Sequence, residues 1–93
     1  KKENVIPLTD AINRLTQLKP SRFNFIGHPE KTVDGFIAHE VQEIVPEAVI
    51  GEKDAMKSDG VPNMQMMDTS YLVPLVVGAL QEAIKRIETL ENA

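Results

Sequence analysis

An α+β domain with a long C-terminal helix is the fold class this sequence predicts, and three observations predict it. Short apolar-alternating runs at 22–26 and 33–38 read as strands. A three-four apolar repeat runs from Val73 to Leu90, the period of a helix. Between them lies 51–63, rich in Lys, Asp, Glu, Gly and Pro and without periodicity, which reads as an exposed loop. The expected architecture is a small antiparallel sheet with short helices and a long terminal helix. It forms one domain, residues 1–93, with a globular part at 1–70 and an oligomerising helix at 71–93.

Taken in order, Thr9 and Asp10 precede Ala11, Ile12, Leu15 and Leu18, so a hydroxyl cap is expected to open a short helix that Pro20 ends. Arg22 to Ile26 alternates polar and apolar before Gly27 and Pro29, which places Phe23 and Phe25 on the core side of a strand. Val33 to Ala38 is the second strand, and Asp34-Gly35 has the chemistry of a hairpin turn. Val41, Ile44 and Val45 then recur at helical spacing, with Glu40, Gln42 and Glu43 facing outward and Pro46 as the stop. Ala48 to Ile50 and Met64 to Met67 are further strand candidates. Asp68 is placed to cap the long helix, predicted from Thr69 to Asn92 and roughly 35 Å long.

A helix of that length exceeds what a 93-residue domain needs for its own core, so its C-terminal half is expected to project and to require a partner. Val73, Val76, Leu80, Ala83, Ile87 and Leu90 are spaced as the seam of a coiled coil, widened by Ile84. With Leu80 and Ile87 at a positions, Arg86 falls at g and Glu91 at the following e, where they pair between parallel chains. Leu72, Leu75 and Ala79 form a second stripe, confined to the first half, that faces the globular part. The rival reading is an amphipathic helix folded back on its own domain.

Composition excludes several classes. A net charge of −4 without a basic stripe argues against phosphate-neutralising nucleic-acid binding. The absence of cysteine removes disulfides and thiolate metal sites. The longest apolar run, Leu72 to Leu80, carries Pro74 and Gly78 and is far shorter than the roughly 20 residues that span a bilayer.

His39, Glu40 and Glu43 form a His-Glu-x-x-Glu run, but the second histidine of a zinc helix is missing, so a solvated polar face is expected and neither metal nor cofactor. Ser21, Ser58 and Ser70 lie in no nucleophile elbow. Met64, Met66 and Met67 are expected to fill core space at the strand-to-helix junction.

Three blocks in order resemble the endosialidase-type intramolecular chaperone family. They are Lys2-Glu3-Asn4-Val5 with Leu15 to Pro20, then Gly35-Phe36-Ile37-Ala38-His39-Glu40-Val41 to Pro46, then Tyr71 to Leu90. The family patterns read Ser-Asp-x-Arg-x-Lys-x-Asn-Ile, Gly-Phe-Ile-Ala-Gln-Glu-Val with a later Pro, and Tyr-x-x-Leu-x-Pro-Leu; His39 stands where the family usually has Gln. The resemblance implies a C-terminal domain that forms a homotrimer, promotes folding of the β-rich fibre or spike ahead of it, and is released by Ser-Lys autoproteolysis. Matching Asn4-Val5 assigns the general base to Lys2. A lysine can serve only when its amine is neutral near pH 7, which needs desolvation or neighbouring positive charge, and Lys1 is the candidate for the latter. The nucleophilic serine would lie five residues before Lys2, outside this chain, so the chain by itself is expected to be inactive. Ser58-Asp59 does not replace it, because Asn63 stands where the lysine should.

The expected setting is a host cytoplasm during virion assembly, with release from the mature fibre or spike, and with neither nucleic acid nor membrane as a partner. Two alternatives stay open at this level: a permanent host-binding fibre tip that uses the 51–63 loop, and a structural oligomerisation module outside phages.

Overall fold

The computed structural model describes all residues, Lys1–Ala93. Helix α1 (Ala11–Leu15) is followed by strands β1 (Ser21–Phe23) and β2 (Val33–Gly35), then helix α2 (Ala38–Gln42). A 3₁₀ turn at Pro46–Ala48 leads into β3 (Val49–Ile50), and the 51–63 loop into β4 (Met66–Met67). A second 3₁₀ turn, Thr69–Leu72, opens onto helix α3 (Val73–Glu91). The class is α+β as expected, but the strands form two separate antiparallel pairs, β1 with β2 and β3 with β4, rather than one sheet. Two-residue strands such as β3 and β4 present too few ladder groups to recruit a third.

The β1–β2 hairpin turns at 24–32, through Gly27 at φ 90°, and not at Asp34-Gly35. Asp34 instead sits opposite Arg22 and accepts a 2.7 Å hydrogen bond from its guanidinium. Gly35 lies under the Phe23 ring, where a Cβ would come within 2.9 Å of Cζ. The glycine is thus there to admit an aromatic ring across the strand. Phe25, expected inside, is 65 % exposed and meets Phe23 edge-on at 5.4 Å between ring centroids. β1 ends at Phe23, so the alternation that would have turned Phe25 inward stops before it.

The core is eight residues: Ala11, Val41, Val45, Ala48, Val49, Leu72, Leu75 and Ala79. It sits where α1, α2 and the first turns of α3 meet, with Ile12, Leu15, Leu18, Phe36, Ile44 and Met67 packed around it. Of the methionines near the junction only Met67 joins the core. Met64 and Met66 are exposed, since the β4 side chains alternate and its outer face has no covering layer. The Arg14 guanidinium donates to the Ile44 carbonyl at 3.1 Å, satisfying an acceptor just past the end of α2. Gln42, expected to face solvent, donates to the Gly51 carbonyl at 3.2 Å and accepts from Gln65 at 2.9 Å, closing the base of the 51–63 loop.

Eight buried residues are few for 93, and the surface says the same. The chain exposes 7807 Å², against roughly 5,400 Å² for a compact monomer of its mass. Its radius of gyration is 17.4 Å, where about 12 Å is usual for this length. The extents, 60 × 39 × 20 Å, describe an elongated body from which the helix extends.

The entry to α3 is built as the sequence suggests. Asp68 accepts from the Ser70 backbone N–H at 3.0 Å and from its hydroxyl at 2.7 Å, which caps the 3₁₀ turn feeding the helix, and Pro74 occupies the first helical turn. The Ser70 hydroxyl bond, followed by the Ser70 N–H bond, holds the Asp68 carboxyl below its ordinary value of 3.8. A carboxylate favoured in the folded state stabilises it above the ordinary value, and the contribution is lost as pH falls through the depressed one. The gap in thermal stability between the protein and Asp68→Ala is therefore expected to be constant at neutral pH and to narrow below pH 3.8, followed by circular dichroism.

Candidate functional site

Two faces of α3 do different things. Leu72, leading into the helix, with Leu75 and Ala79 are buried against the body, which is the stripe expected to face the globular part. Gly78 lies against Leu8 and Ala11, so that α1 rests directly on the helix. On the other face Val73, Val76, Leu80, Ile84, Ile87 and Leu90 stand 46–75 % exposed, with Ala83 partly covered. The folded-back arrangement would have buried this face, and within the chain nothing covers it. Arg86 and Glu91 form no ion pair within the chain.

Burying a large aliphatic side chain completely contributes about 1.5–3 kcal/mol, so a half-exposed one retains about 1 kcal/mol to gain from a partner. An exposed Arg86–Glu91 pair adds tenths by comparison. Any association through this face is therefore driven by the apolar residues, with the charges setting direction. A groove of about 390 Å³ opens beside this face, lined by Leu15, Leu18, Pro20, Phe36, Thr69, Leu72, Val73 and Val76. It shares Val73 and Val76 with the exposed face, so the apolar surface continues from the helix onto the body.

Lys2 lies in the exposed N-terminal segment, residues 1–9, which belongs to no helix or strand and makes no hydrogen bond within the chain. The segment is tied down just beyond, at the start of α1. There the Thr9 and Asp10 side chains do not cap the helix. Asp10 takes a left-handed backbone, φ 60°, and its carboxylate accepts from the Asn13 amide at 3.2 Å. The first helical donors go instead to Glu82 of α3: Ala11 N–H to Oε2 at 2.9 Å and Ile12 N–H to Oε1 at 3.1 Å. A carboxylate 70 residues away in sequence does the work expected of the local cap. Spacing rules that look four residues ahead have no signal for it.

The remaining chemistry-bearing residues are dispersed. The Ser70 hydroxyl is committed to Asp68, and Ser58 is exposed in the 51–63 loop. His39 lies within α2, Glu43 follows its end, and no group of three or more His, Asp or Glu side chains is placed to hold a metal ion. No helix is long and apolar enough to cross a membrane.

The model of the family described as chaperone of endosialidase, which also bears a peptidase label, matches residues 1–50. The matched stretch runs from Lys1 through α1, the β1–β2 hairpin and α2 to β3, and so contains the first two of the three sequence blocks; the Tyr71 to Leu90 block lies beyond it. With more than half of the chain matched, and its motifs in order along the segment that docks on α3, the chain belongs to the endosialidase chaperone family.

Proposed function

We propose that this chain is the intramolecular chaperone of a trimeric fibre, spike or appendage: it assembles through α3, holds three copies of the preceding polypeptide together while they fold, and is then released by self-cleavage. The observation that carries the reading is the uncovered apolar face from Val73 to Leu90, on a chain that exposes far more surface than a compact monomer of its mass. Three chains tethered at one end have a high effective concentration for one another. That offsets the loop-closure cost that makes non-local β pairing slow.

Cleavage in this reading uses Lys2 and a serine five residues upstream. The serine hydroxyl attacks the carbonyl carbon of the residue before it while its proton passes to the Lys2 amine. The serine nitrogen leaves with that proton, and water hydrolyses the resulting ester. Lys2 is exposed in the single chain, so the enclosure a general-base lysine requires is supplied on assembly. Release then removes the tether and leaves the folded trimer kinetically locked. The setting is a host cytoplasm during particle assembly.

The test is expression of the upstream polypeptide with and without this domain. With it, the upstream part is expected to be soluble, trimeric and protease-resistant; without it, aggregated or monomeric. Equal yields of folded trimer from both would contradict the chaperone role.

A further inference from the structure

The uncovered face of α3 has two unlike edges. With about 100° between successive residues, Val73, Val77, Leu80, Ile84 and Ile87 stand opposite Leu75, Ala79 and Glu82, the side that rests on the body. One edge of the face carries Val76, Ala83 and Leu90, and the other carries Pro74, Gln81 and Glu88. The groove opens on the first edge alone, where Val73 and Val76 form one wall and Leu18 and Phe36 of the body form another. On the second edge, at the same height, Pro74 is exposed and Val77 is 47 % exposed.

The distribution of charge singles out the same turns. From Thr69 to Gln81 there is no charged residue on either side of the helix, whereas beyond Glu82 the exposed positions include Lys85, Arg86 and Glu88. A helix flank that stays in water ordinarily carries charge. The uncharged turns are those level with the groove, and the groove lining is uncharged as well, so bringing the two together strands no ion.

We propose that the groove receives the next copy of this chain: Pro74 and Val77 of one copy seat between Leu18, Phe36, Val73 and Val76 of its neighbour, so that each body grips the adjacent helix. This rests on the parallel assembly through α3 put forward above. When parallel helices pack in register around an axis, the first edge of each meets the second edge of the next, which sets Pro74 and Val77 opposite the groove. An antiparallel pair brings like edges together and leaves both grooves open. The contact is heterologous, groove against helix turn, and closes as a ring. A copy in a ring has two neighbours, and the surface it exposes beyond that of a compact monomer, about 2,400 Å², covers two contacts of roughly 800 Å² each.

The chain contains no cysteine, so introduced thiols report this contact without interference. The 93-residue chain is prepared as Leu18→Cys and as Pro74→Cys, with tags of different size, and the two are coassembled and oxidised. A disulfide between the two species is expected, with neither variant linking to itself, because the bond requires Cα atoms within about 7 Å. The double variant Leu18→Cys with Pro74→Cys is expected to give a covalent product of the full assembled mass on a denaturing gel. Pro20→Cys, on the exposed rim of the groove, repeats the test without touching the packing around Leu18. Pro74→Asp places an acid in the first turn of the helix, where it is tolerated in the single chain. It is expected to keep the circular dichroism of the wild type and to raise the concentration of half-dissociation by about 10²-fold or more, because the carboxylate enters an apolar groove. Wild-type assembled mass without a link from position 74 to either 18 or 20, together with unchanged dissociation of Pro74→Asp, overturns the groove contact and leaves assembly standing. A disulfide formed within one chain, at monomer mass, also overturns it. A wild-type chain that is monomeric at every concentration removes the assembly and this inference with it.

Discussion

Leu80→Asp combined with Ile87→Asp is expected to turn the assembled protein into a folded monomer. Both side chains are more than half exposed in the single chain and neither belongs to the eight-residue core, so the body keeps its packing. Along a helix seam the same positions become enclosed, and an uncompensated buried carboxylate costs several kcal/mol. Two such sites per chain cost together roughly 6–10 kcal/mol, more than the roughly 5 kcal/mol that the five remaining apolar side chains of this face gain at about 1 kcal/mol each. Light scattering is expected to show the monomer mass and circular dichroism an intact signal from the body, with some fraying of the last turns of α3. An unchanged assembled mass would place the interface elsewhere.

The second large effect is expected at Lys2. In a polypeptide extended upstream through the serine, Lys2→Ala should abolish cleavage while leaving assembly intact, because Lys2 touches neither the core nor the α3 seam. Loss of a general base that activates a weak hydroxyl nucleophile costs about 10²–10⁴-fold or more in rate. The expected product is an uncleaved trimer on a denaturing gel and in light scattering. Lys1→Ala in the same polypeptide separates the two neighbouring lysines, and cleavage should persist there at a reduced rate if Lys1 contributes only its charge.

The sequence displays the features that depend on neighbours along the chain. The inner positions Val41 and Val45, the Asp68 cap and the two stripes of α3 all follow from a helical period or a turn residue, and the structure has them. α2 ends at Gln42, however, and Pro46 opens the 3₁₀ turn that follows instead of stopping the helix. The helix proper begins at Val73 rather than Thr69, because the turn that Asp68 caps is 3₁₀. What the sequence conceals depends on contacts across the fold. Gly35 looks like half of a hairpin turn and is in fact the floor beneath the Phe23 ring. Thr9 and Asp10 look like a cap, and Glu82 does the capping. Phe25 looks like core because it continues an alternation, and the strand ends before reaching it. Met66 is apolar without a layer to pack against.

Lys2 is a different case. Nothing about an exposed lysine near a chain end distinguishes it by period or composition; only the match of Lys2-Glu3-Asn4-Val5 to a family motif does so. The apolar stripe from Val73 to Leu90, by contrast, is visible from spacing alone, and what the structure adds is that the face is left uncovered by the rest of the chain.

The solution mass of the unsubstituted chain over a range of concentrations decides whether the chain assembles. A mass of three times 10.3 kDa, held on dilution, is expected, and a constant 10.3 kDa at every concentration would contradict assembly through α3.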